Sequence, residues 1–397
     1  MATNRTQPVS KKLRAWVRTS RGCAGGAVLL ATAGVVAFSG CHREALKNPR
    51  PEGGPDEAAP PGPGVLATGQ KVPRALSVDR SNVYWFNLGT NMSRGKLLRG
   101  WSGGQVMRCA IGGCEDAPTA LVSGRRQYSF ATPLAFATDG FDVYWSDSGT
   151  EEPSDAEGSS GGVLKCATTG CGDSPSLLTD SFAWDIALSK GMVYWTDFGA
   201  GEVFACPLIG CEAGPESLWP AGDNPPLTLG IAVDETDVYW STAAKDTIMK
   251  CALAGCGGTP TAIMSDAPVT AIRQIALDAS NVYFVDSNPG GGVFACAKSG
   301  CGDHPTVLAF GLNIATAIAT DGVNVYWTEV GSPNAALAEV PGAGVVRKCS
   351  VSGCANTPTT IASGLNVPVA IAVDASNVYW AEAGAGTDDG RIQRAPK

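Results

Sequence analysis

Apolar and polar positions along residues 63–397 repeat one pattern seven times. Each unit opens on a short apolar run such as Val369-Ala370-Ile371-Ala372-Val373, then an Asp and a turn, then Val-Tyr-Trp or a close variant. A Gly-rich stretch follows, then a run such as Gly162-Val163-Leu164-Lys165-Cys166, a Gly-Cys turn, and a last run such as Thr360-Ile361-Ala362-Ser363-Gly364. The central tyrosines are Tyr84, Tyr144, Tyr194, Tyr239, Tyr283, Tyr326 and Tyr379, spaced by 60, 50, 45, 44, 43 and 53 residues. Five residues before them stand Asp79, Asp139, Asp234, Asp278, Asp321 and Asp374, with Ser189 in the third unit. Four short apolar segments between turn residues predict a four-stranded antiparallel unit. One such unit cannot bury both faces, whereas units stacked around an axis can. The fold class is therefore all-β, a seven-bladed β-propeller.

The ends of the chain predict how the ring closes. The last unit stops at a third strand, Gly390-Arg391-Ile392-Gln393-Arg394. Gly64-Val65-Leu66-Ala67-Thr68-Gly69, ahead of the first Val-Tyr-Trp, has the pattern of a fourth. The N-terminal strand should complete the C-terminal blade and leave no open sheet edge. The repeated Asp should cap the first hairpin through side-chain bonds to the backbone. The Val-Tyr-Trp aromatics should pack blade against blade.

Residues 1–40 read differently. Six basic residues precede an apolar run from Gly22 to Phe38, too short and Gly-rich for a bilayer span. Phe38-Ser39-Gly40-Cys41 resembles the lipobox of bacterial lipoproteins, with Phe38 where that signal usually has Leu. The resemblance implies a signal peptide over 1–40, lipidation of Cys41, and a protein held at the bacterial cell envelope. Residues 41–62, rich in Pro, Gly and charge, should form a flexible tether to the propeller over 63–397. Without the first 40 residues the chain holds 23 basic against 37 acidic residues and no basic tract, which argues against a nucleic-acid partner.

Twelve of the 14 cysteines form six C-x4-C pairs: Cys109/Cys114, Cys166/Cys171, Cys206/Cys211, Cys251/Cys256, Cys296/Cys301 and Cys349/Cys354. Each is expected to flank the turn between third and fourth strands, where the two strands face each other and an exported chain forms disulfides. Zinc would need four converging ligands, often with His. These pairs are spread one per blade, and only His42 and His304 are present.

Tyr194-Trp195-Thr196-Asp197 and Tyr144-Trp145-Ser146-Asp147 make the units similar to YWTD propellers of the low-density-lipoprotein-receptor class and the wider NHL-like group. The resemblance covers nearly all of 63–397 and implies the fold, with receptor-like ligand binding as its functional corollary. YWTD domains of that class have six blades, and paired cysteines are not part of their motif.

A binding site belongs where the repeat is broken. The long insertions, Phe86–Gln105, Ser146–Gly162 and Thr328–Gly344, all join second to third strands and share one face. At entry to the first strand on that face, Arg74, Trp184, Asp185, Arg273 and Gln274 stand out against Leu134, Leu229, Thr316 and Val369. Arg125, Arg126 and Tyr128 are expected in the loop leading into the second blade. Arg and large aromatics are enriched at binding hot spots. Two places after the Trp come Asn87, Asp147, Asp197, Thr242, Asp286, Glu329 and Glu382. Structural hydrogen bonding is the favoured reading of that row, and a carboxylate ring around a cation the other. No Ser-His-Asp set assembles, and the acidic stretch Glu151–Glu157 reads as a solvated loop. The expectation is a non-catalytic propeller without cofactor or metal, capturing an envelope protein or glycan. A channel-metal hydrolase of the lactonase type is the alternative.

Overall fold

The computed structural model describes residues 64–94, 98–128, 135–149, 160–181, 183–197, 199–219, 227–243, 246–331, 342–386 and 388–397. The expected leader and tether, with Cys41 and His42, and Leu134 and the 151–157 stretch lie outside them. Seven antiparallel sheets are present. The first strands of blades 1 to 7 are Pro73–Val78, Phe136–Thr138, Ala183–Ser189, Thr228–Val233, Ile272–Leu277, Ala315–Thr320 and Pro368–Val373. Each contacts the first strands of the blades on either side, so these strands form the inner wall of the ring.

The Val-Tyr-Trp string works because side chains alternate across a strand. In every blade Val and Trp, with Phe284 for the Trp in blade 5, face the preceding blade and Tyr faces the next. Trp240 and Val238 of blade 4 pack with Tyr194 of blade 3. Phe284 packs with Tyr239, Trp327 with Tyr283, and Trp380 with Tyr326. Across the closure, Trp85 of blade 1 packs with Tyr379 of blade 7, and Trp145 and Trp195 then meet Tyr84 and Tyr144. All seven seams are thus built alike, and each aromatic of the string is at most 4% exposed.

Closure follows the expected route. Gly64–Gln70 pairs antiparallel with Gly390–Pro396 as the outer strand of blade 7. Gln70 then joins blade 7 to blade 1: its Oε1 accepts from Trp85 Nε1 and from Asn87 Nδ2, each at 3.0 Å.

One face of the ring is stapled. All six expected disulfides are formed: Cys109–Cys114, Cys166–Cys171, Cys206–Cys211, Cys251–Cys256, Cys296–Cys301 and Cys349–Cys354. Their placement corrects one detail. The first cysteine of each pair lies on the third strand, opposite the Val of Val-Tyr-Trp, as Cys296 opposite Val282. The second cysteines, Cys114, Cys171, Cys211, Cys256, Cys301 and Cys354, are not on the fourth strand. Each stands in the connection, five residues before that strand begins. The reason is that two tight turns, not one, join the strands. In blade 1 the Gly113 amide donates to the Ala110 carbonyl, and the Ala117 amide to the Cys114 carbonyl, each at 2.9 Å. Corresponding bonds reach the carbonyls of Cys171, Cys211, Cys256, Cys301 and Cys354. Each bridge therefore ties the strand end to the start of the second turn, and folds a half-buried sulfur against the seam with the preceding blade. Blade 7 has no such turn, and there Val378 faces Ala395.

On the same face the repeated Asp caps its hairpin and also holds the Tyr. Asp79 Oδ1 accepts from the Ser81 and Asn82 amides at 2.7 Å, and its Oδ2 accepts from the Tyr84 hydroxyl at 2.8 Å. Burial together with this bond raises Tyr84 to about 12.

The opposite face corrects two further expectations. Phe86–Gln105 is largely strand: Thr90–Arg94 pairs with the start of Leu98–Ala110, so the second hairpin of blade 1 extends beyond the ring. Arg125, Arg126 and Tyr128 are not in a connecting loop either. They continue the fourth strand, Thr119–Tyr128, in register with Gly104, Ser102 and Gly100 of the lengthened third strand. The long third strand offers free backbone groups there, and the chain pairs with them instead of turning inward.

Candidate functional site

The first strands enter from the looped face, and there six of the seven described registers, all but that of blade 2, carry an irregularity. Pairing passes from Pro73 to Ala75, from Ala183 to Asp185, from Ala315 to Ala317 and from Pro368 to Ala370. In blades 4 and 5 it passes from Thr228 to Ile231 and from Ile272 to Ile275. Arg74, Trp184, Arg273, Gln274, Thr316 and Val369 are therefore bulge residues. A bulge re-aims a side chain out of the ladder, so this repeated bulge sets where the variable positions of the mouth stand. Nothing in the residue pattern announces it, because the apolar period carries through.

The five mouth candidates fall on blades 1, 3 and 5, with smaller residues between. Asp185 is engaged structurally. Its Oδ1 accepts from the Ile186 amide at 2.9 Å and its Oδ2 from the Ile231 amide of blade 4 at 3.0 Å. Burial pushes the carboxyl up to about 7, against the pull of those two donors. Gln274 repeats the motif one blade pair on, its Oε1 accepting from the Ile318 amide of blade 6 at 3.3 Å. Blade 4 has Gly230 at this level because a Cβ there would lie 2.8 Å from the Arg273 carbonyl oxygen. Arg74 and Trp184 are half-buried and Arg273 is exposed. Arg125, Arg126 and Tyr128 belong to the outermost strand of blade 1. Three strand spacings, about 14 Å, separate that strand from the one bearing Arg74. The candidates thus form two groups on one face.

In blades 3, 5, 6 and 7 the acidic residue two places after the Trp, or after the Phe of blade 5, ties the second strand to the connector entering its blade. Glu329 Oε2 accepts from the Asn313 amide at 3.0 Å, while its Oε1 accepts from Trp327 Nε1 at 2.9 Å and meets Arg347 at 3.2 Å. Glu382 holds the Asn366 amide at 2.6 Å, Asp286 the Thr270 amide at 3.3 Å, and Asp197 the Ser181 hydroxyl at 2.6 Å. Among the described residues no group of three or more His, Cys, Asp or Glu side chains is placed to hold a metal ion. The connectors are fixed further by a residue with positive φ seven places before the repeated Asp: Val72, Ala271, Ile314 and Val367, between 56° and 59°. This backbone is unfavourable for β-branched residues. Its recurrence in four blades makes it part of the scaffold that holds the mouth rigid.

Known structures share the architecture. A streptogramin B lyase aligns over 84% of this chain and 96% of its own at 12% identity, with a TM-score of 0.55. The WD40 propeller domain of Doa1 aligns over 84% and 97% at 11% identity, also with a TM-score of 0.55. BamB from Moraxella catarrhalis covers 85% and 99% at 12% identity with a TM-score of 0.46. Neither a protein-family model nor a curated protein matches the chain. At these identities the likeness to the first two speaks for the fold alone, and nothing is drawn from the third.

Proposed function

We propose that the protein is a non-catalytic binding propeller, lipid-anchored through Cys41 outside the cytoplasm, that captures an envelope protein or glycan on its looped face. The observation that carries this reading is the division of the ring into two unlike faces. One is closed by six disulfides and repeated Asp caps. The other carries the extended hairpin of blade 1 and the bulged mouth. Disulfides in this number suit an oxidising compartment. The non-catalytic reading is supported by the engagement of polar side chains at the mouth: Asp185 and Gln274 accept backbone donors, and Glu329 and Glu382 hold connectors. Arg74, Trp184 and Arg273, on bulged positions of a rigid ring, are of the residue types that dominate hot spots, and we take them as the anchors.

The test is capture from envelope extract by the full chain and by the triple variant Arg74→Ala, Trp184→Ala, Arg273→Ala, with near-ultraviolet circular dichroism to show equal folding. The reading expects a partner held by the first and weakened at least tenfold in the second. Equal capture by both refutes the mouth site. Turnover of a small ester or lactone, lost with chelator, refutes the non-catalytic assignment.

A further inference from the structure

Strand polarity fixes where the N-terminal segment meets the ring. In blade 7, Gly64 pairs with Arg394 near the end of the third strand, and Gln70 pairs with Gly390 at its start. Third strands run from the looped face to the stapled face, so Gly64 stands at the stapled face. Any segment leading to it arrives there, and Cys41 lies 23 residues earlier. Those 23 peptide steps span at most about 80 Å.

The stapled face carries a second sign. Its turn tips are small or polar in most blades, as at Ser81, Thr236 and Ser280 between first and second strands. Three are large and apolar: Phe141 is 81% exposed, Ile209 93% and Val323 65%. Phe141 and Val323 sit at the same repeat position of blades 2 and 6, and Ile209 tips the bridged turn of blade 3. Each is held outward by its turn. The Asp139 carboxylate accepts from the Phe141 amide at 2.8 Å, and Asp321 from the Val323 amide at 3.0 Å. Gly210 donates to Pro207 at 3.0 Å beside Ile209. Turn tips of this kind gain by leaving water for an apolar layer. The charges around them select the layer: Glu115, Asp116, Asp173, Glu212, Glu235 and Asp303 are exposed on this face, against Arg80 and Lys190. An anionic surface would repel it.

We infer that the stapled face docks on a zwitterionic lipid surface through Phe141, Ile209 and Val323, which presents the looped face outward from the membrane. This rests on the anchor reading of Cys41 and adds to it an orientation and a lipid class. Ile209 sets the docking apart from a fold requirement, because at 93% exposure it has almost no packing of its own to lose.

The full chain, purified from membranes, is reconstituted on phosphatidylcholine vesicles, and amide hydrogen exchange is compared with the detergent-solubilised protein. Amides of 139–142, 207–210 and 321–324 should slow at least tenfold on vesicles, and those of 312–315 and 366–368 on the looped face should not change. Phe141→Ser, Ile209→Ser, Val323→Ser should abolish the slowing while the chain stays attached, as should half-anionic vesicles at low salt. Slowing confined to the looped face, or none on an anchored chain, overturns the docking. Intact mass of the N-terminal peptide reads the anchor separately: an unlipidated Cys41 refutes the anchor reading, and the docking with it.

Discussion

Removing a single bridge tests why the stapled face is stapled. Cys296 and Cys301 close a six-residue ring in blade 5. In the chain-entropy account, a ring of that size stabilises the folded state by about 2 kcal/mol, through the freedom it takes from the unfolded chain. Cys296 is 1% exposed and packs in the seam with blade 4, so Cys296→Ala, Cys301→Ala also deletes a buried sulfur, adding about 1 kcal/mol of lost packing. The double variant should thus lose about 3 kcal/mol. Reduction of the native chain, which leaves the sulfurs in place, separates the two contributions. Six such rings amount to about 13 kcal/mol, the scale of a whole domain's stability, so the fully reduced chain should unfold at far lower denaturant. The assay is urea unfolding followed by tryptophan fluorescence, which reports on the six buried Trp of the seams. A loss below about 0.5 kcal/mol in the double variant, or close to twelve free thiols in the folded exported protein, refutes the reasoning.

Other consequences follow from particular contacts. Gln70→Met keeps the shape but leaves two donors, Trp85 Nε1 and Asn87 Nδ2, without their acceptor; calorimetry should show a loss of about 2–6 kcal/mol at about 1–3 kcal/mol per orphaned group. Blade 7 alone closes without a local bridge, so hydrogen exchange in 65–70 and 391–396 should outpace that in the matching strands of blades 4 and 5. Asp185 binds its proton more tightly folded than unfolded, so relative to Asp185→Asn the native chain should lose stability as pH rises from about 4 to about 7, then level off; a difference independent of pH would refute the burial of its charge. Gly230→Val should destabilise by about 1–3 kcal/mol, because its Cβ would meet the Arg273 carbonyl oxygen and Gln274 Cα at 2.8 and 3.0 Å.

The repeat made the fold legible because each blade seam reuses the same three side chains. Val, Tyr and Trp in alternation state both that a strand is present and which neighbour each residue meets. The disulfide pairing was legible for a related reason, since the two cysteines of a C-x4-C pair are too close in sequence to separate. Where the second cysteine stands was not: Cys114, Cys171, Cys211, Cys256 and Cys354 begin a second turn that apolar spacing does not distinguish from the start of a strand. The mouth was legible only as variation against a constant background. The bulge that sets the places of Arg74, Trp184 and Arg273 leaves no mark in hydropathy, since it shifts hydrogen bonds and not residue types. The hydrogen bonds that Asp185 and Gln274 accept from amides of the next blade depend on side chains meeting backbone 46 and 44 residues away, which a local pattern does not encode. Arg125, Arg126 and Tyr128 were misplaced because their strand exists only as a partner of the inserted hairpin. A Gly-Arg-Arg sequence after a finished outer strand reads as a turn until that hairpin is known.

The central claim is that the looped face binds and the stapled face does not take part in capture. The most direct measurement is hydrogen exchange on the detergent-solubilised full chain with and without its captured envelope partner. The account predicts slowed exchange in 73–75, 183–185 and 272–274, with 100–104 and 125–128 joining them where the partner reaches the extended hairpin. The bridged turns 109–114, 206–211 and 296–301 should exchange as before. Slowing at those turns with an unchanged mouth would contradict it.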